Sequence, residues 1–246
     1  MEQITRKSLL YKSGIGFYCL NHVMGCSHGC RYPCYAWMMA HSHGRVSTYA
    51  EWCRPKIVIN ARELLARELK RIKAKPEYIH LCLSTDPFMK GYPEVTEMSL
   101  KLIALINSFG IQCSVLTKGE LPAVLADPEQ FSEDNIYGIS IVSLDEEFRK
   151  RWEPGAVPYA VRIKALKTLQ ECGCHTYVHI EPFPTPNILK QDLHGILYAT
   201  AFAGSIFFSG WNYNNTVKEY PSYKQFYSEQ AAIVRRFCSE HGITFE

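Results

Sequence analysis

At 246 residues, 47% hydrophobic and 21% charged, the chain has ordinary globular proportions, which exclude global disorder and allow one large domain or two small ones. A net charge of +3 is too mild to point to nucleic acid on charge alone. Ten cysteines behind a start, MEQITRKSLLYKSG, that lacks an apolar leader fit a reducing, cytoplasmic setting better than a secreted disulfide scaffold.

In chain order, a short strand is expected at 17–23, followed by MGCSHGCRYPCYAW at 24–37. Cys26, Cys30 and Cys34 would share one face if this stretch were helical. Pro33 lacks an N–H and pushes Tyr32 away from helical dihedrals, and Gly25 and Gly29 favour irregular backbone, so a loop is expected. Three readings of the thiols compete. A structural zinc completed by His28 or His41 lacks the usual two spaced cysteine pairs. Unrelated buried thiols would be an unusual way to build a core. An iron–sulfur cluster is held by thiolates at short local spacing, and three ligands leave one iron open. The spacing favours the cluster.

Helices are expected at 60–73, with Asn60 as N-cap and Leu64, Leu65 and Leu69 on one face, and at 94–108, 120–126, 158–171, 187–201 and 222–240. Gly110 and Gly173 stand where a left-handed C-cap is favoured. Between the helices lie short apolar runs that read as buried strands: 78–84, 111–117, 135–143, 175–181 and 205–211. Residues 195–217 carry no charge and are long enough to cross a bilayer. Gly204, Ser205, Ser209, Gly210 and three asparagines interrupt them, so they read as a helix end, a glycine and a buried strand.

Alternating strands and helices imply parallel pairing with right-handed crossovers. The fold expected is an α/β single domain over 1–246: a partial (β/α)6 barrel core at about 16–211, with a C-terminal helical and aromatic lid at 212–246. An open doubly wound sheet is the runner-up. In either fold the working end is where strands finish. Polar residues collect there: Ser84, Thr85 and Asp86; Thr117 and Lys118; Ser140 and Ser143; His179 and Glu181; Ser209, Trp211 and Asn212. Some of these would only cap helices, Ser143 before LDEE above all. The stretch 211–227 interleaves six aromatics with Lys218 and Lys224, which suits either base stacking or a lid, the lid being favoured. Cys172 and Cys174 form a C-x-C whose spacing is narrow for a second metal site.

GCSHGCRYPCYA resembles the C-x3-C-x2-C cluster loop of radical SAM enzymes, in the branch that includes spore photoproduct lyase. STDPF (84–88), SVLTKG (114–119), SIVSLDEEFRKRWEPGAVPYAVRIKAL (from 140) and HIEPFPTPN (from 179) are similar to successive segments of that branch. The resemblance spans about residues 18 to 190. It implies a [4Fe-4S] cluster ligated by Cys26, Cys30 and Cys34, with S-adenosylmethionine (SAM) on the open iron. It also implies an electron donor such as flavodoxin or ferredoxin, and a 5′-deoxyadenosyl radical that removes hydrogen from substrate inside a covered barrel mouth. By matched position, Lys118 resembles a lysine that pairs with the SAM carboxylate, and Ser140 a serine that bonds its ribose or carboxylate. Ser84, Thr85 and Asp86 lie where the family meets the SAM amino group. Arg162 and Glu153 belong to the matched helix motif, where an Arg–Glu pair can also be purely structural.

The loop departs from the pattern. It reads C-x3-C-x3-C, with Pro33 where an aromatic usually precedes the last cysteine, which leaves open how Tyr32 and Tyr35 pack. The lyase's hydrogen-donating cysteine corresponds to Leu83. Cys82 is adjacent but is expected on the opposite strand face. The lyase's extra N-terminal region has no counterpart. A peptide, protein or small-metabolite substrate is therefore expected over nucleic-acid lesion repair. The alternative outside enzymology is a zinc-stabilised binding module.

Overall fold

The computed structural model describes residues 1–246. Strands β1 (Glu2–Ile4), β2 (Leu10–Lys12), β3 (Tyr18–Leu20) and β4 (Val23–Met24) open the chain. After irregular residues 25–34 come helices α1 (Tyr35–Ser42) and α2 (Tyr49–Trp52), strand β5 (Lys56–Val58) and helix α3 (Ala61–Leu69). Alternation then sets in with β6 (Tyr78–Leu81), α4 (Pro93–Ser108), β7 (Gln112–Thr117), a 3-10 turn at Ala123–Ala126, and β8 (Ile136–Ser140). It continues through α5 (Glu146–Trp152), α6 (Tyr159–Glu171), β9 (His175–Phe183), α7 (Leu193–Ala199) and β10 (Ser205–Gly210). Helices α8 (Asn215–Lys218) and α9 (Tyr223–His241) and strand β11 (Thr244–Phe245) end the chain.

Strands β3, β6, β7, β8, β9 and β10 are neighbours in that order and all parallel. An order that never reverses sends every right-handed crossover to the same face of the sheet. The doubly wound alternative needs a reversal and is ruled out, and the partial barrel stands. Strand β2 flanks β3 antiparallel, and β11 extends the sheet beyond β10. A second small sheet, β1-β5-β4, sits beside the start of the barrel.

Side chains alternate along each strand. Ile79, Leu81, Cys113, Val115, Ile139, Val178, Ile180, Ile206 and Phe208 belong to the continuous core under the helices. Burying each large aliphatic side chain among them contributes about 1.5–3 kcal/mol. The opposite face carries His80, Ser114, Ser140, His179 and Phe207. Helix α4 begins with Pro93 at its first turn and buries Val95, Leu102, Ile103 and Ile106 at helical spacing.

Several expectations need correcting. Asn60 occupies the N-cap position of α3, but its side chain does not cap the helix. It clips the segment after β1 instead, accepting from Arg6 N at 3.1 Å and donating to Arg6 O at 2.9 Å. Ser143 is not an N-cap; Asp145 is, accepting from Glu147 N and Phe148 N, while Ser143 Oγ accepts from Asp145 N. Helix α5 was hidden between the serine and EPG. Cys82 is not on a strand: its φ of 63° ends β6, so the alternation argument does not apply to it. The stretch 120–126 forms only a 3-10 turn, with Pro122 before it and Pro128 after it. A surface groove of about 870 Å³ lies beside this turn, between the start of α4 and α6. Its lining includes nothing from the cysteine loop, β9 or β10, so it is not the barrel mouth.

The C-terminal segment crosses the strand ends before α9 packs back. Tyr227 donates to Phe183 O at 2.9 Å and accepts from Trp211 N at 3.0 Å, and Val234, Phe237 and Cys238 bury the inner face of α9. The uncharged stretch 195–217 resolves into the end of α7 and buried β10, and no helix is long and apolar enough to cross a membrane.

Candidate functional site

The cysteine loop leaves β4 at the C-terminal end of the parallel strands and is gripped from two sides. Cys26 N donates to Trp52 O at 2.9 Å, and a Cβ on Gly25 (φ 90°) would stand 2.5 Å from that same oxygen. Only glycine permits that approach. On the other side, the EPG turn after α5 lies against the loop: Gly155 N donates to His28 O at 2.8 Å and Arg31 N to Trp152 O at 2.8 Å. A Cβ on Gly155 would come within 2.2 Å of Ser27 O.

Cys26, Cys30 and Cys34 are half-buried free thiols, and Cys34 is the N-cap residue of α1. Burial pushes the Cys26 thiol well above its usual range, helped by Asp86 and by the neighbouring Cys30 and Cys34. Burial pushes Cys30 up to about 12, against the pull of Lys118. Three thiols that sense one another this way are adjacent, yet no three His, Cys, Asp or Glu side chains converge to share a single metal ion. Both histidines suggested as a zinc ligand are otherwise engaged. Buried His28 Nε2 lies 2.8 Å from Asp86 Oδ2, and exposed His41 stacks on Trp37. Cys172 and Cys174 sit at the opposite, N-terminal end of β9 and gather no further ligands.

Asp86 is buried and fully committed. Its oxygens accept from Thr117 Oγ1 (2.7 Å), Lys118 N (2.8 Å) and Phe88 N (2.8 Å) besides His28. Burial would raise its pKa; His28, Thr117 and the Lys118 N–H outweigh that and hold it below the usual carboxylate range. Asp86 is thus a strut between the cysteine loop and β7. Its neighbours Ser84 and Thr85 remain half-buried on the turn after β6, tied by Ser84 N and Thr85 Oγ1 to Asn21 Oδ1.

A second network joins β7, β8 and α6. Lys118 Nζ donates to Ser140 Oγ at 2.6 Å and lies 3.0 Å from Glu153 Oε1. Arg162, fully buried, binds Glu153 Oε2 (2.8 Å), Ser140 O (2.8 Å) and Val157 O (2.7 Å). Tyr32 donates to Glu153 Oε1 at 2.6 Å and packs edge-on to Trp211. Burial would raise the Glu153 pKa; Lys118 and Arg162 outweigh it and bring it to about 2. This answers the question Pro33 raised. Tyr32, just before Pro33, turns inward onto Glu153 and under Lys118 Nζ, which sits 5.5 Å from its ring centroid. Tyr35 stays exposed at the mouth, donating to Leu83 O.

Beyond Lys118 the concave face continues with His179 and Glu181, expected at a strand end, and with His80, which the sequence did not single out. His80 meets Ser114 Oγ at 3.1 Å. His179 stacks on Phe207 with centroids 4.2 Å apart and stands 3.7 Å from Glu181. Glu181 accepts from Asn212 at 3.2 Å, and burial raises its pKa. Glu153 was expected as half of an Arg–Glu pair and His28 as a possible zinc ligand; the structure makes both organising residues of the loop. Asn21 was missed, because nothing local in the sequence distinguished it.

Residues 20–197 match the family model described as the Radical SAM superfamily, and the chain belongs to that superfamily. Its members are enzymes that use a [4Fe-4S] cluster and SAM. An uncharacterised protein of Methanocaldococcus jannaschii is 30% identical over 168 residues, 67% of this chain. An uncharacterised protein of Acidianus two-tailed virus is 24% identical over 183 residues, 71% of this chain. The matches span 60% and 58% of those relatives' own lengths. Among solved structures, a spore photoproduct lyase mutant with a dinucleoside spore photoproduct superposes with a TM-score of 0.71 at 15% identity, covering 99% of this chain and 81% of that one. Another, with AdoMet and the same class of photoproduct, gives 0.69 at 14% identity, covering 97% and 78%. At such identities the likeness establishes the fold.

Proposed function

We propose that this chain is an enzyme that ligates a [4Fe-4S] cluster through Cys26, Cys30 and Cys34 and binds SAM beside Lys118. It would draw a hydrogen atom from a substrate lodged on the concave face. When bound and reduced, by a donor such as flavodoxin or ferredoxin, the cluster and SAM supply the 5′-deoxyadenosyl radical for that abstraction. Neighbouring thiols that do not converge on one point suit the wide ligand spacing of a cluster better than a lone zinc.

One observation carries the assignment of the SAM side. Lys118 and Arg162 share a single carboxylate, Glu153, so this buried network holds one surplus positive charge. Lys118 is its accessible end, with a side chain 16% exposed. An arriving carboxylate balances that charge and replaces water around the ammonium. Ser140 and Arg162 position Lys118 rather than reach the ligand, because their hydrogen bonds go to protein. Ser84 and Thr85, on the turn after β6, are assigned to the amino group. Asp86 and His28 hold the loop. The aromatic group Tyr32, Trp152, Trp211 and Phe148 closes the space beside the cysteines against water.

On the substrate side, Leu83 offers no sulfur that returns a hydrogen atom, and the nearby thiol of Cys82 is buried against His22 at 3.3 Å. We therefore favour a peptide, protein or small metabolite over a nucleic-acid lesion. The test is anaerobic reconstitution with iron and sulfide, then dithionite and SAM. Wild type should bind about four irons and release 5′-deoxyadenosine. Cys30→Ala should lose most of the iron while keeping its circular dichroism. A Cys30→Ala protein with wild-type iron would refute the ligand set.

A further inference from the structure

Most exposed large hydrophobic residues of the chain are scattered, but α1 gathers three. Tyr35, Met38 and Met39 are 43%, 38% and 55% exposed; Met38 and Met39 face outward, while Tyr35 turns its hydroxyl to Leu83 O at the mouth. An outward helix face is normally polar. The inner face is built for close approach: Ala36 and Ala40 are buried with Val46 and Trp52, and Cys26, Cys34 and Cys53 pack against that group. Met38 and Met39 therefore lie across α1, a helix about 10 Å wide, from the Ala36–Ala40 face that packs on Cys26 and Cys34.

The surroundings are basic. From Arg31 to Lys56 there are four cations, Arg31, Arg45, Arg54 and Lys56, against one carboxylate, Glu51. That excess equals the +3 of the entire chain. Glu51 is drawn to Lys56 at 3.7 Å. Arg31, Arg45 and Arg54 are exposed and enter no ion pair. Two of them bracket the loop: Arg31 follows Cys30, and the Arg54 carbonyl lies 3.5 Å from where a Cβ on Gly25 would stand.

We propose that the exposed face of α1, with its Arg31, Arg45 and Arg54 rim, is the docking surface for an acidic protein that delivers single electrons to the cluster. The proposal rests on the cluster assignment above. An exposed apolar stripe marks a protein contact, and methionines adapt to a partner's shape. A carboxylate-poor rim steers an acidic partner and sets its association rate. The position argues for a redox partner over other acidic proteins, because electron transfer falls off with distance and this face adjoins the half-buried cysteine loop.

The test compares two reductants in anaerobic 5′-deoxyadenosine assays. Dithionite needs no docking; a reduced flavodoxin does. Met39→Glu and Arg45→Glu/Arg54→Glu should raise the KM for flavodoxin by about tenfold or more and flatten its salt dependence. With dithionite both variants should match wild type, which also shows that they fold and carry a cluster. Equal flavodoxin KM values in wild type and variants would overturn the proposal. So would a patch variant that changes only the oligomeric state or the binding of a labelled oligonucleotide. Loss of activity in wild type with dithionite would instead condemn the cluster assignment, so the two failures are separable.

Discussion

The two halves of the barrel mouth are built to different standards. On the β6–β8 side, Asp86, Glu153, Arg162 and Ser140 are buried, and each carboxylate oxygen has a partner in the protein. On the β9–β10 side, the half-buried Glu181 carboxylate accepts from Asn212, His179 stands 3.7 Å away, and Tyr213 is 70% exposed with a φ of 60°. A prearranged charged network keeps its geometry when a ligand arrives, whereas loosely held groups adapt to one. The first half therefore suits a ligand that never changes, SAM, and the second a substrate that this chain alone selects.

The sharpest way to break that contrast is Glu153→Gln. It leaves Lys118 and Arg162 facing each other in a buried site with no counter-charge. Removing one partner of such a network costs about 3–5 kcal/mol. For a chain of this size the thermal midpoint should fall by roughly 6–20 °C. A fall of under about 2 °C would mean the network is not the rigid side of the mouth.

Lys118→Ala tests the same half with a smaller effect. Glu153 keeps Arg162, so the fold survives, but the surplus charge is gone. Affinity for SAM should weaken by about tenfold to a hundredfold, the worth of one charged hydrogen bond, with iron content unchanged. Calorimetry on the reconstituted protein measures both. An unaltered SAM affinity would move the carboxylate site elsewhere.

What was legible in the sequence followed the same division. Strand and helix alternation from 78 onward, the cysteine loop, Lys118, Ser140 and the EPG–Arg162 helix were readable because apolar periodicity and short fixed spacings encode them locally. The excursion from 35 to 58 was not anticipated. Helix α1 has little sequence amphipathicity, since Met38 and Met39 face water while Ala36 and Ala40 face the core. Strand β5 is only three residues long and pairs with β1, more than fifty positions away, a contact no local window contains. Asp86 was readable as a strand-end residue, but its engagement by His28, Thr117 and Lys118 N is a tertiary fact. Asn60 looked like a cap, and tertiary hydrogen bonds to Arg6, beyond β1, took its side chain.

His80 probes the concave face between the halves. Burial lowers its pKa from 6.5 to about 4, and Ser114, Tyr78, Tyr177, His179 and Phe17 surround it with no carboxylate among them. The unfolded chain therefore takes up a proton first as pH drops. Stability is complete above about pH 6.5 and is lost as pH falls toward 4. His80→Phe, which keeps the packing on Phe17, should reduce the loss between pH 7 and pH 5 by on the order of 1–2 kcal/mol. Metal-free chain is the right sample, because acid would also strip a cluster. Equal losses of urea-derived stability between pH 7 and pH 5 in wild type and His80→Phe would show that the histidine is solvated.

Glu181→Gln should do least to stability, under about 0.5 kcal/mol, because the group is half-exposed and its amide retains the Asn212 contact in a flipped rotamer. It should nonetheless alter chemistry. Glu181 follows the barrel's second histidine on the same face and borders the space between Lys118 and the aromatic segment 211–227. The expected signature is unchanged thermal melting and unchanged dithionite-driven SAM cleavage without substrate, together with a lost increase in that rate when a genuine substrate is added. A stability cost approaching that of Glu153→Gln would erase the distinction between the two halves, because Glu181 would then be a buried structural charge and not a group held ready for a ligand.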